Sequence, residues 1–446
     1  DPEDGSPRYL VGCINEIGAK QKADNVSGLL GEYSLKIFYE SRSPKLPQGF
    51  LLRIGIDDFK NINESHGNEY GDYILRRTAQ CIEENIGPEQ SLFHIVADEF
   101  AVVDFSGGSV QQAEDLFHEI KKSIYAFIEQ NQYKAVYTVS GGIVKNGDVD
   151  NSFENAMKLS EFALSEAKER GKNSCYVFEE EEYEDYLKSR TLLRQLHHAV
   201  NNGFEGFEAY FQPLVNAANG ELTGAETLLR FHSPEGGMVS PGEFIPILEE
   251  SGLIIPVGRW VLRQALDACR EWQKILPEFK VNVNLSYVQV LKSRVLTDVR
   301  RIVDEFGVKP SSVCIELTES GYLEENERFD KVWNGLKEYG VLLALDDFGT
   351  GYSNLRCLSD LKPAYIKIDR SFTLKALNRE YEYRLLNHIV EMSHSLGLHV
   401  CVEGIETEGE LTKAKQTEPD YIQGFLFGKP CSRAEFTQKF FTKQAG

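Results

Sequence analysis

The chain has 446 residues, of which 41% are hydrophobic, and it carries a formal net charge of −21. That length is too great for one average domain and predicts two, of roughly 180 and 250 residues. The acidic balance argues against a nucleic-acid-binding surface, so no DNA or RNA polymer is expected as a partner. Eight cysteines are scattered without a CxxC pair, several of them inside apolar runs, which predicts reduced thiols of a cytoplasmic protein. No apolar run approaches the ~20 residues needed to cross a bilayer. The first residue is Asp1 rather than methionine, so the chain reads as a fragment. Upstream segments are expected to carry a sensor module, with room there for a membrane anchor.

Residues 1–21 contain the strand-like YLVGCINEIG and fit neither domain; they read as the tail of an upstream module or a linker. Residues 22–180 read as an α/β domain, with strand candidates at 49–57, 91–105 (a hairpin) and 135–144. Amphipathic helices intervene at 70–85 and 110–130. The acidic run EEEEYEDYL and a helix through Arg190 to Val200 make residues 181–200 a connecting segment. From 201 to 446, eight short apolar runs recur, at 209–213, 225–230, 281–286, 313–319, 341–347, 365–369, 399–406 and 421–425. Segments long enough for helices separate them from the second run onward, for example 256–276 and 325–339. This pattern predicts a (β/α)8 TIM-type barrel with its active site at the carboxyl ends of the strands. The first two runs are joined by a connection too short for a parallel crossover but suited to a hairpin at Asn219-Gly220, so the first strand is expected to be antiparallel.

Most runs end on a side chain capable of chemistry: Glu226, Asn284, Glu316, Glu319, Asp346, Asp347, Lys367, Glu403 and Gln423. Asp346 and Asp347 are adjacent, and two carboxylates side by side call for a shared proton or a cation. The plain alternative is that one of them caps the following helix and the other is solvated. A set of carboxylates and an amide oxygen, without histidine or cysteine, suits Mg²⁺ or Mn²⁺. Two such ions about 3.5 to 4 Å apart would clamp a phosphoryl centre. Alternation in YIKID points Lys367 opposite to Ile366 and Ile368, toward the barrel interior if the isoleucines pack the outer helices.

The run ETLLRF, with Thr227 in the place of an alanine, resembles the signature of the EAL-domain cyclic di-GMP phosphodiesterases. SPGEFIPILEESGLI (240–254), VNLS (283–286), ELTES (316–320), DDFGTGYSNL (346–355), IKIDRSF (366–372), VEGIET (402–407) and QGFLFGKP (423–430) resemble that family's further blocks, in order. The resemblance implies metal-dependent hydrolysis of cyclic di-GMP to linear pGpG. It implies two ions held by Glu226, Asn284, Glu316, Asp346 and Asp347, with Lys367 orienting the attacking water or offsetting charge. Glu403 would be a general base or a metal-bound carboxylate, Glu319 would anchor the loop from Phe348 to Asn354, and Gln212, Leu228, Arg230 and Gln423 would hold the substrate. A non-catalytic receptor or a scaffold of the same fold is the rival reading, and the complete ligand set argues against it.

The first domain resembles the GGDEF domain, an α+β nucleotidyl-cyclase-like fold that commonly precedes an EAL domain. The blocks are DNVSGLL (24–30), IDDFKNINESHGNEYGD (56–72), HIVADEF (94–100) and SEAKERGKN (165–173). Val96 and Ala97 stand where that family has two glycines, Gly55 stands at its first metal-binding aspartate, and GPEQ (87–90) replaces its regulatory RxxD. The expectation is a domain that makes no cyclic di-GMP, in part because valine resists the positive φ that glycine permits. Asp98 and Glu99 remain, Asn63 and Asp72 match guanine-contacting positions, and Lys168 matches a phosphate-contacting lysine. GTP is therefore a candidate regulator, the alternative being a domain kept for spacing or dimerisation. A homodimer is the assembly expected.

Overall fold

The structure, a computed structural model, describes residues 23–42, 49–131, 136–148, 152–318, 326–349 and 355–442. The chain divides into two compact units, Asp1–Leu187 and Lys188–Gly446. Residues 1–21, Glu319 and positions 350–354, all named above, lie outside the described residues. No helix among the described residues is long and apolar enough to cross a membrane, and Cys81, Cys175, Cys269, Cys314, Cys401 and Cys431 are free thiols.

The first unit is built on one mixed sheet. Strands β1 (Phe50–Ile56), β2 (Gln90–Val96), β3 (Glu99–Asp104), β4 (Val139–Lys145) and β5 (Cys175–Val177) lie in the order β2-β3-β1-β4-β5. β1 is central because all seven of its residues are buried, with antiparallel neighbours on both sides. The predicted hairpin is β2 and β3, but the valine in its turn is not strained as expected. Val96 stays in the strand, and Ala97 takes the left-handed conformation, at φ 50°. The expected helices appear as Asn68–Glu83 and Val110–Gln130. The second starts at a capping box between Ser109 and Gln112, an arrangement in which the serine oxygen alone contributes about 1 kcal/mol. The expected connecting helix is present as Glu180–Asn201, and the acidic run opens it.

In the second unit all eight expected strands form and close into a barrel: β6 (Phe207–Asn216), β7 (Leu222–Ser233), β9 (Lys280–Asn284), β10 (Val313–Thr318), β11 (Leu342–Phe348), β12 (Tyr365–Ile368), β13 (His399–Val402) and β14 (Tyr421–Gln423). β6 is antiparallel to both neighbours, β7 and β14. Its hairpin turns where Gly220 adopts φ +74°, with the Gly220 N–H donating to the Asn216 carbonyl at 2.8 Å. Two short additions, β8 (Gly237–Val239) and β15 (Cys431–Ser432), extend the ladder. Fully buried Leu345, Ile366, Ile368, Val400, Val402 and Ile422 join the apolar layer between barrel and helices. Alternation then leaves the intervening side chains to the barrel interior.

Candidate active site

Lys367 organises the barrel interior. It lies between buried Ile366 and Ile368 on β12 and is only 2% exposed. Its Nζ stands 3.2 Å from Glu226 Oε2, 3.0 Å from Glu316 Oε2, 3.4 Å from Asp346 Oδ1 and 2.8 Å from Glu403 Oε1. One ammonium thus faces four carboxyl groups delivered by β7, β10, β11 and the end of β13. Strand register brings them level: Glu316 pairs with Asn284 and Ala344, Thr318 with Asp346, and Gln212 with Glu226.

Hydrogen bonds fix each carboxylate. Asn282, which sequence reasoning passed over, donates to Glu316 Oε1 at 2.7 Å. Asn284 donates to Glu226 Oε1 at 2.9 Å, and Gln423 Nε2 donates to Glu226 Oε2 at 2.7 Å and to Gln212 Oε1 at 3.1 Å. Asp346 Oδ1 accepts the Asp347 N–H at 2.9 Å. Between Leu345 and Phe348 the pairing of β11 with β12 slips, and Asp347 sits at φ 57°. Such a break in alternation lets consecutive aspartates serve one site, and aspartate adopts the left-handed region more readily than most residues.

The electrostatics show a shortage of positive charge. Burial pushes Glu316 well above the usual carboxyl range despite Lys367, and burial likewise raises Asp346. Glu403 is pushed up to about 8, mainly by burial, and Asp347 to about 6 by burial and the charge of Asp346. Burial also works against ionised Glu226, but Lys367 together with Gln423 and Asn284 holds it below its usual value. For Lys367, burial opposes the charge and the four carboxylates outweigh it, keeping the ammonium protonated. A single lysine does not balance this set, and a divalent cation would.

The donor set fits such an ion. Glu226, Glu316 and Asp346 each offer an oxygen, all within 4.8 Å of one another, and all three residues are buried. Asn284 is joined to this group through Glu226, and Asp347 follows it in the chain. Beside them is a cavity of about 620 Å³ whose lining includes Leu228, Arg230, Asn284, Tyr287 and Thr318. The Arg230 guanidinium lies over the Tyr210 ring, 5.6 Å from its centroid. Gln212 and Gln423 are buried, with Gln423 bridging Glu226 and Gln212, and neither lines that cavity.

The corresponding region of the first unit is arranged differently. Asp57 accepts from Thr138 Oγ1 at 2.6 Å, Ser140 Oγ at 2.7 Å and the Asn173 N–H at 3.1 Å. Glu99 Oε2 is gripped by Arg53, at 2.7 Å from Nε and 2.6 Å from a terminal nitrogen. Arg53 was also missed, although an arginine inside the apolar run FLLRIGI is itself a signal. A Cβ added at Gly55 would lie 2.9 Å from Lys168 Nζ, and one at Gly71 would collide with Asn63 Oδ1. Asp72 is partly exposed.

A model of the EAL domain matches residues 193–430, and a model of the diguanylate cyclase GGDEF domain matches residues 34–174. The bifunctional diguanylate cyclase/cyclic di-GMP phosphodiesterase MucR of Pseudomonas aeruginosa is 29% identical over 381 residues, 85% of this chain and 55% of the relative. The cyclic di-GMP phosphodiesterase PdeR of Escherichia coli is 29% identical over 386 residues, 86% of this chain and 58% of the relative. The chain spans about half the length of the curated relatives it matches. Among solved structures, a PaMucR phosphodiesterase in complex with c-di-GMP is 32% identical, with a TM-score of 0.52, covering 55% of this chain and 99% of that one.

Proposed function

Because the chain belongs to the EAL-domain family, with a GGDEF domain ahead of the barrel, we propose that it hydrolyses cyclic di-GMP to linear pGpG. The observation that carries this reading is the gathering of four carboxyl groups around the Lys367 ammonium beside the cavity lined by Leu228 and Arg230. Two Mg²⁺ or Mn²⁺ ions held by Glu226, Asn284, Glu316, Asp346 and Asp347 would supply Lewis-acid charge at the phosphate and acidify the attacking water.

The protein's own groups do the rest. Gln423, Asn284 and Asn282 hold Glu226 and Glu316 in place, so that little reorganisation is needed during reaction. Lys367, a donor only, offers its protons to the attacking water or to a phosphate oxygen. Water attacks phosphorus as the bond to the 3′ oxygen breaks; the attacking water's proton passes to Glu403, and the leaving 3′ oxygen takes a proton from solvent water to become the hydroxyl of pGpG. Glu403 lies 2.8 Å from Lys367 and outside the Glu226, Glu316 and Asp346 ligand group, and bound cations would lower its raised value and free the carboxylate for that role. Glu319 keeps its assignment as anchor of the loop after β11. Leu228, Arg230, Gln212 and Gln423 would hold the dinucleotide, with Gln423 also steadying Glu226.

In this reading the first unit binds GTP through Asn63, Asp72 and Lys168 and adjusts hydrolysis without making cyclic di-GMP. Free thiols, five of the six described being buried, support a cytoplasmic setting. A homodimer is carried over from the family resemblance and is checked by light scattering of the full chain. The test of activity is incubation with cyclic di-GMP and Mg²⁺, with separation of products by chromatography. Formation of pGpG that stops on chelation supports the reading, whereas tight binding with no turnover would make the protein a receptor.

A further inference from the structure

We propose that the first unit takes a nucleotide's phosphates on Lys168 without a divalent metal ion. The inference rests on the GTP reading above and specifies how the site works. Three observations weigh against a metal centre there. Gly55 offers no ligand, and the tip of Lys168 fills the space a side chain would enter, with Nζ 2.9 Å and Cε 3.3 Å from an added Cβ. Both oxygens of Asp57 are already committed to Thr138, Ser140 and the Asn173 N–H. Glu99 is paired with Arg53, whose side chain is only 7% exposed, so a fixed internal cation already neutralises it. Among the described residues the one group of three acidic or metal-ligating side chains with converging ligand atoms is in the barrel.

Lys168 is placed differently from Arg53. Its side chain is 30% exposed and its ion pair with Glu99 is long, at 4.0 Å. An ammonium with that much exposure and three donors has capacity for an incoming anion. Arg53 neutralises the acid, Lys168 faces the ligand, and the charge that an ion would supply is supplied by the chain.

The experiment is calorimetric titration of the full chain with GTP, in Mg²⁺ and again in EDTA. The expected result is dissociation constants within about threefold of each other, with Lys168→Met weakening binding about tenfold in either buffer. Gly55→Asp sets a carboxylate against Lys168 and should weaken binding in EDTA by about as much. Circular-dichroism spectra and melting profiles unchanged from the parent in both variants show that the first unit still folds. Binding that needs Mg²⁺, or that survives Lys168→Met unchanged, overturns the metal-free site while leaving GTP as a ligand. No binding in either buffer removes the GTP reading and this inference together.

Discussion

The barrel mouth and the GGDEF region hold similar chemical groups and settle their charge in opposite ways. In the barrel, four carboxyls share one buried lysine, and burial raises three of them, Glu316, Asp346 and Glu403. In the first unit, Glu99 is matched by Arg53, and Asp57 is satisfied by hydroxyls and a backbone N–H. Acidic side chains alone therefore do not make a metal site. What matters is whether the fold leaves their charge unbalanced, because a buried carboxylate with no cation either takes up a proton or recruits an ion.

The largest effect should come from removing charge at the barrel. Glu226→Gln or Asp346→Asn is expected to slow pGpG formation in Mg²⁺ by at least ~10² to 10³, the range seen when a preorganised electrostatic group is lost. Near-normal turnover in both would show that the site is elsewhere.

The unbalanced charge should also appear as a pH-dependent instability of the metal-free protein. Glu403 has a folded-state value of about 8, above the ordinary 4.5, so the folded protein holds the extra proton. Stability from this group is full below the unfolded value and declines as pH rises through the window from about 4.5 to about 8. In EDTA at pH 8, Glu403→Gln should therefore be the more stable protein by up to about 4 kcal/mol, with the gap closing toward pH 5. Lys367 keeps three carboxylate partners in that variant. Thermal melts at the two pH values check it, and a variant less stable at pH 8 would contradict the charge account.

A smaller effect is expected from the first unit. A tenfold preference of GTP for one state of the protein amounts to about 1.4 kcal/mol and would change hydrolysis severalfold. Rates with and without GTP should differ in the parent and coincide in Asn63→Ala with Asp72→Ala. The smallest effect is none at all: with the phosphodiesterase silenced by Glu226→Gln, GTP and Mg²⁺ should yield no cyclic di-GMP. Product in that background would mean that Gly55 and Arg53 do not disable synthesis.

Much of the barrel was legible because most apolar runs of strand length ended on a polar residue, and because Asn219-Gly220 announced a hairpin. Lys367 could be turned inward from the alternation of YIKID alone. That it would touch four carboxylates was not readable, since the partners come from strands separated by up to 141 residues in the chain. β5, β8 and β15 have two or three residues each, too few to show a period. Asn282 was overlooked although it shares a face with Asn284, because its role depends on lying beside Glu316. The hydrogen bonds by which Gln423 ties Gln212 to Glu226 were likewise unreadable, because they join strands far apart in the chain.

The contrast between the two regions is tested most directly by Mn²⁺ titration followed by electron paramagnetic resonance, in the parent chain and in Asp346→Asn. The expected result is about two tightly held ions per chain in the parent, as in other paired-metal phosphoryl sites, with tight binding abolished in the variant. Tight Mn²⁺ remaining in Asp346→Asn would place an ion outside the barrel mouth, and no tight Mn²⁺ in the parent would contradict the account at its centre.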